Sequence, residues 1–405
     1  MLSFLFGLSQ SLKPVIIIPG HFGSKLRVTT TRKPFWYCPS KLDNAYSWIR
    51  VRDLFPPYIN CLLDYLTLEY DNETHKLKSR PNTTITTENF GNLSGIRGVG
   101  PEYLGRYLPV NYEQFILQFE QSGYQESRDL FAAPYDWRYG LEQPESFFQQ
   151  LTALIEKAHD MNNSPVAFIA HGLGAALLHL YLTEKTTSEW RSKYIDSATY
   201  ISPSFTGSGQ AFYALWRLRF PYIHIRFDTL RRFVASLGAF HAHMPNSVAF
   251  SNSTLLIDPD GRAYNGSELI DFLKEHGRLT PEEIELAEQN FKHSRTLPLT
   301  PDFTLNILYN SGIKTPMGLK LRTWDDVGTP IYGHGDSLMG SKVVEWACGK
   351  WAKESEKNVR CHDVLIDDRL YYHRYLIKSP EIAKLVKRWI LDASLDKVNE
   401  FSDEL

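Results

Sequence analysis

Three short stretches of the chain are continuously apolar where an exposed strand would alternate. Lys13 to Gly20 sets Val15, Ile16, Ile17 and Ile18 in one β-branched run closed by Pro19 and Gly20, the pattern of a strand buried on both faces in a parallel sheet. Pro165 to Ala170 repeats it, and so does Ser197 to Ser202, stopped by Pro203. Around these runs the period becomes helical. Tyr112 to Gln121 spaces its apolar residues on one face, and Ser146 to His159 does so with Phe147, Leu151, Leu154, Ile155 and Ala158. Ala175 to Leu182 and Pro380 to Ile390 read the same way. Strands alternating with helices imply right-handed crossovers, and so an α/β fold with a mostly parallel sheet and helices on both faces.

The rhythm is broken twice, over residues 35–106 and 206–251, which read as insertions in one domain over residues 12–395. The first carries Trp36, Trp48, Leu62 and Leu63; the second carries Phe212, Tyr213, Trp216, Phe220, Tyr222 and Ile223 among several arginines. For these apolar residues, lipid contact and core packing are equally open. Residues 1–11 are a short apolar run ending in small polar residues, either a signal peptide cleaved near Ser9 to Ser11 or a buried first strand. Residues 396–405 form an acidic tail expected to fray, ending Ser402-Asp-Glu-Leu405, one residue from the K-D-E-L retention signal.

Composition narrows the partners. The 405 residues are 43% hydrophobic and 22% charged, with 44 Lys plus Arg against 46 Asp plus Glu, a formal charge of -2. A globular chain without a basic excess has no field to draw nucleic acid, so any membrane contact must be local and apolar. No run reaches the roughly twenty apolar residues of a spanning helix. Cys38, Cys61, Cys348 and Cys361 fall into two local pairs without C-x-x-C spacing, which disfavours a zinc cage and leaves two local disulfides or four buried thiols. Sequons at Asn72, Asn82, Asn92, Asn162, Asn252 and Asn265 sit mostly in polar, turn-like stretches suited to glycans.

The sharpest chemical signal is Phe168-Ile-Ala-His171-Gly172-Leu173-Gly174, a buried strand passing through a glycine-rich turn straight into a helix. That is the layout of a nucleophile elbow, in which a serine on a strained turn projects Oγ above the sheet and the next backbone N–H faces the oxyanion. Here Gly172 stands in the serine's place. An ordinary strand-to-helix turn is the plainer reading. Against it, the partners follow in the order nucleophile, acid, base: Asp336 in the glycine-rich stretch Gly333 to Gly340, then His373 before the last helix.

With these residues in place, the chain resembles the lecithin:cholesterol acyltransferase and lysosomal (group XV) phospholipase A2 family of α/β hydrolases over residues 13–392. Ala132-Ala-Pro-Tyr-Asp-Trp-Arg138 is similar to the family's A-P-Y-D-W-R segment, and Ile18 to Leu26 resembles its P-G-x-L-G-x-x-L loop. Trp48 falls in a T-I-W-like segment, and Tyr264 to Leu273 is similar to N-Y-T-x-x-D-F. The resemblance implies that Phe22 and Leu173 donate backbone N–H groups to the oxyanion and that Asp336 orients His373. It also implies disulfides Cys38–Cys61 and Cys348–Cys361, a membrane-docking cap over residues 35–106 and a lid over 206–251. Trp48, Leu62, Leu63 and Trp216 would meet lipid, and Asn72, Asn82, Asn92, Asn252 and Asn265 would carry glycans. The implied substrate is a phospholipid or other acyl lipid, with no metal or organic cofactor and a secretory-pathway location.

Gly172 is the departure that matters. A covalent acyl mechanism cannot do without its hydroxyl, and triad members act as a unit, so its loss removes most of a roughly 10⁶-fold acceleration. Glycine accepts positive φ freely, so the turn itself can form. Ser204 and Ser208, in the loop after the next strand, are expected to lie beyond reach. The expectation is therefore an acyltransferase or phospholipase scaffold with an impaired covalent step, or alternatively a non-catalytic lipid-binding or lipid-transfer protein on that scaffold.

Overall fold

A computed structural model describes residues 12–48, 50–98, 112–220, 228–355 and 357–391. Residues 1–11, residues 396–405, Tyr222 and Ile223, on which expectations were placed, lie outside the described residues. The centre is a six-stranded, wholly parallel sheet of β1 (Val15–Ile18), β2 (Leu130–Ala132), β3 (Val166–His171), β4 (Ile195–Ile201), β5 (Leu305–Tyr309) and β6 (Val359–Asp363). Across the sheet the order is β6-β5-β4-β3-β1-β2.

Every residue of β1 and β3 is buried, and alternate side chains enter opposite layers. Ile16, Ile18, Phe168 and Ala170 join Phe147, Leu151 and Ile155 of the helix Glu145–Asn162. Val15, Ile17, Ala167 and Ile169 join the helices Glu113–Glu120 and Pro380–Leu391 on the other face. This two-sided burial is why the strands read as unbroken apolar runs. Each fully buried Ile, Leu or Phe contributes about 1.5–3 kcal/mol relative to exposure.

From β1 the chain goes outward to β2 and then returns past β1 to β3, so the strand order reverses between β1 and β3. Loops leaving the C-terminal ends at such a point diverge and open a crevice, the usual place for a site in an open α/β sheet.

The first excursion from the sheet starts earlier than residue 35, because Leu26–Thr30 already pairs with Leu42–Trp48 and Thr83–Thr87 in a small antiparallel sheet. The helix Tyr58–Leu66 and the Cys38–Cys61 disulfide complete it. The second disulfide joins Cys348 to Cys361, so both implied pairings are formed. Leu62, Leu63 and Trp216 correct the lipid-contact expectation: they are 3%, 5% and 2% exposed and belong to the main core. Both helices are amphipathic, and these side chains lie on the inward stripe. Pro330 to Tyr332, just before the glycine-rich stretch that holds Asp336, lie in an exposed strand, Thr329–Gly335, of a separate four-stranded sheet. Among the described residues no helix is long and apolar enough to cross a membrane.

Candidate active site

The turn after β3 keeps the geometry of a nucleophile elbow. Gly172 lies at φ 52°, ψ −121°, a region that residues with a Cβ occupy only under constraint, and it caps the helix Leu173–Glu184. Its N–H donates to Ile201 O at 3.0 Å and its carbonyl accepts from Ala175 N at 3.1 Å. Gly174 is glycine for a packing reason, since a Cβ there would collide with the Pro19 carbonyl. The helix start is thus pressed against the turn that leaves β1.

That turn holds Phe22 at φ 63°, closed by Gly23 N donating to Gly20 O at 2.9 Å. Because β1 pairs with β3 in the register Ile18 to Ala170, Phe22 and Leu173 leave neighbouring strands side by side. Leu173 opens its helix, where the first N–H groups have no intrahelical acceptor and the helix dipole favours negative charge. Trp48 is half-buried over this turn, its Nε1 donating to Phe22 O at 3.1 Å and its ring stacked on Phe22 at 4.9 Å. Trp48 thus packs on the Phe22 turn.

Asp336 and His373 meet as the sequence order requires. His373 Nδ1 donates to Asp336 Oδ2 at 2.7 Å, and the His373 N–H donates to Asp336 O at 2.8 Å. The other carboxylate oxygen accepts from the N–H groups of Leu338 at 3.1 Å and Met339 at 2.8 Å. Burial alone would raise the Asp336 carboxyl, but the His373 charge, its hydrogen bond and those two amides outweigh it and hold the carboxyl below its ordinary value. A Cβ on residue 172 would stand 3.0 Å from His373 Nε2. The Asp336–His373 pair and the turn at Gly172 are therefore brought together at one point.

A buried relay that sequence reasoning missed ties these parts together. Gly20 N donates to Tyr112 Oη at 2.6 Å, Tyr112 Oη lies 3.0 Å from His171 Nδ1, and His171 Nε2 lies 3.2 Å from His373 O. A carbonyl only accepts, so His171 carries its proton on Nε2 and accepts the tyrosine hydroxyl at Nδ1. Burial and then the charge of His373 bring His171 down to about 3, which keeps that tautomer neutral. The His171 before Gly172 was in plain view in the sequence, but nothing there paired it with Tyr112.

The Ala132 to Arg138 segment proves to be structural. Asp136 caps the turn Trp137–Tyr139, and the fully buried Arg138 forks onto its carboxylate while donating to Ser79 Oγ and Leu66 O. Tyr135 N and Trp137 Nε1 bind Ser24, so the segment fastens the β1 turn to the first excursion. Among the described residues no cluster of three or more His, Cys, Asp or Glu side chains could hold a metal. Of the sequons, Asn72, Asn82 and Asn252 are exposed, whereas Asn92 and Asn265 are half-buried and their side chains accept local backbone N–H groups. Ser208 is occupied in capping the helix Gly209–Arg217 and donating to Leu338 O. Ser204 lies beside the turn: its Oγ stands 3.6 Å from the Cβ position of residue 172.

A parallel sheet with an elbow at its switch point, served by a buried Asp–His pair, defines an α/β hydrolase. The chain belongs to the lecithin:cholesterol acyltransferase family, whose model matches residues 46–279. It is 23% identical over 339 residues to the lysosomal phospholipase A and acyltransferase of Bos taurus, covering 81% of each chain. It is 26% identical over 204 residues to the phosphatidylcholine-sterol acyltransferase of Homo sapiens, covering 50% of this chain and 45% of that one. Among solved structures, a Paleococcus ferrophilus monoacylglycerol lipase aligns at 11% identity and a TM-score of 0.31, covering 69% of this chain and 88% of that one.

Proposed function

We propose that this chain handles acyl lipids, phospholipids first among them, in a site whose two-step acyl transfer through residue 172 is closed. The observation that carries the reading is Gly172 in the elbow conformation with His373 Nε2 3.0 Å from its Cβ position, beside a complete Asp336–His373 pair. Everything the elbow chemistry requires is present except the hydroxyl. The test compares the chain with Gly172→Ser on p-nitrophenyl butyrate and phosphatidylcholine vesicles. Hydrolysis gained by the variant and lost again on adding His373→Ala supports the reading; a folded, inactive Gly172→Ser chain overturns it.

Membrane approach is assigned to the first excursion, through Trp36 and Phe55 in place of the buried Leu62 and Leu63. Trp36 is 86% exposed and Phe55 61%, with Tyr58 beside them under Arg52, and the Cys38–Cys61 bridge holds the Trp36 turn next to the helix that begins at Tyr58. Such contact is apolar and little affected by salt. Sedimentation with phosphatidylcholine vesicles should fall several-fold on Trp36→Ser with Phe55→Ser at both low and high salt; unchanged binding removes this surface from the account. The disulfides support passage through an oxidising compartment of the secretory pathway, where Asn72, Asn82 and Asn252 are placed to carry glycans.

A further inference from the structure

One strand end has lost a hydroxyl, and the next strand end brings one to the same point. The loop after β4 folds back onto the elbow, and Ser204 N donates to Gly172 O at 3.0 Å, riveting its backbone there. Around the Cβ position of residue 172, the three nearest atoms outside the turn are His373 Nε2 at 3.0 Å, His373 Cε1 at 3.5 Å and Ser204 Oγ at 3.6 Å. Base and hydroxyl thus converge on one point. Ser204 is 1% exposed, and its Oγ has no hydrogen-bond partner among the described residues. Buried hydroxyls without partners are uncommon, yet this loop holds three, on Ser202, Ser204 and Thr206. Its backbone is also strained, with φ 44° at Ser202 and 82° at Thr206. Strain and unmet hydroxyls in one loop mark a place built for something other than stability.

We propose that Ser204 is the nucleophilic hydroxyl of this site, activated by Asp336–His373 in place of residue 172. The proposal rests on the reading that the site admits an acyl ester. His373 Nε2 takes the Ser204 hydroxyl proton as Oγ bonds to the ester carbonyl carbon, and the carbonyl electron pair moves onto oxygen beside the N–H groups of Leu173 and Phe22. Collapse restores the carbonyl and breaks the ester C–O bond, and the departing alkoxide takes the proton from His373. A water deprotonated by the same imidazole then cleaves the Ser204 ester, releasing a carboxylic acid and regenerating the hydroxyl. Oγ must close on Nε2 as the ester binds, a tightening common in sites seen without substrate. Attack from the loop side aligns the oxyanion less well than attack from the elbow. Loss of one such donor slows turnover by about 10²–10³-fold, and a rate below that of Gly172→Ser by a similar factor is expected.

The test treats the full chain with a fluorophosphonate and maps the adduct by peptide mass spectrometry, beside p-nitrophenyl butyrate hydrolysis. The expected result is an adduct on Ser204, absent in Ser204→Ala, retained in Ser204→Cys and slowed at least about 100-fold in His373→Ala. An adduct at position 172 of Gly172→Ser with none on the parent chain overturns the Ser204 assignment while leaving the acyl-ester site standing. No adduct on either overturns both. An adduct on the parent that survives Ser204→Ala also overturns the assignment, because the nucleophile is then another residue.

Discussion

The turn after β3 and the loop after β4 meet at the centre of this protein and differ in what each has kept. The first keeps a positive-φ backbone that glycine adopts without strain; the second holds three hydroxyls on a backbone whose positive φ values fall on Ser202 and Thr206. Glycine at 172 could relax, yet it stays at φ 52°, ψ −121°. What holds it is external: the hydrogen bonds to Ile201 and Ala175, and the close approach of Gly174 to Pro19. The turn's conformation is therefore a property of the packing around it and does not depend on a side chain at residue 172. At the β4 loop the positive φ values at Ser202 and Thr206 carry Cβ atoms, so that loop bears a strain the elbow has shed.

Gly172→Ser tests the contrast most strongly. Restoring the elbow hydroxyl should raise ester hydrolysis by about 10²–10³-fold over the chain acting through Ser204, because attack from the elbow regains the better-aligned oxyanion contacts. The same change should lower stability by roughly 1–3 kcal/mol, because a Cβ enters a disfavoured φ and His373 must withdraw slightly from a 3.0 Å contact. Gly172→Ala should show the same fall in thermal midpoint without the activity. If both variants melt with the parent, position 172 takes a Cβ without strain.

Acidification comes next in size and acts on both sides of the contrast. His171 stands under the elbow, and His243 lends its carbonyl to Gly207 and Ser208 in the loop. Burial first, then the charge of His373, brings each to about 3, while burial takes His241 to about 3 and His179 to about 4. An imidazole depressed by folding takes its proton only on unfolding, so its stability is full above about pH 6.5 and is lost as pH falls toward 3. Each such histidine can remove up to about 1.4 kcal/mol per pH unit in that window. Melting between pH 7 and pH 5 should show a fall of several kcal/mol; a flat profile would mean these imidazoles are hydrated and not buried.

Much of this was legible in the sequence, and the limits have physical causes. β1 and β3 announced themselves because two-sided burial leaves little room for polar side chains in the strand, and β4 less clearly, since it carries Asp196, Ser197 and Thr199. Asp336 and His373 were found through chain order alone. Leu62, Leu63 and Trp216 were not placed, because an apolar residue on an amphipathic helix reads the same whether its stripe meets core or lipid; their burial and the exposure of Trp36 and Phe55 are tertiary facts. Ser204 was missed because its approach depends on a backbone reversal at Ser202, before Pro203, which local propensity does not foretell.

Ser202→Gly is the smallest change and separates strain from function within the loop. It removes a positive φ, worth about 1 kcal/mol, and a buried hydroxyl that has no partner among the described residues, while adding about 0.5–1 kcal/mol of unfolded-chain entropy. These nearly cancel, so chemical denaturation should move by less than about 1 kcal/mol with the fluorophosphonate adduct unchanged. A loss beyond about 2 kcal/mol would mean that the hydroxyl satisfies a bound molecule, since only a buried partner left unpaired carries that penalty. The β4 loop would then be built around an occupant, and its three hydroxyls would have to be read as a binding surface in which Ser204 is one contact among several.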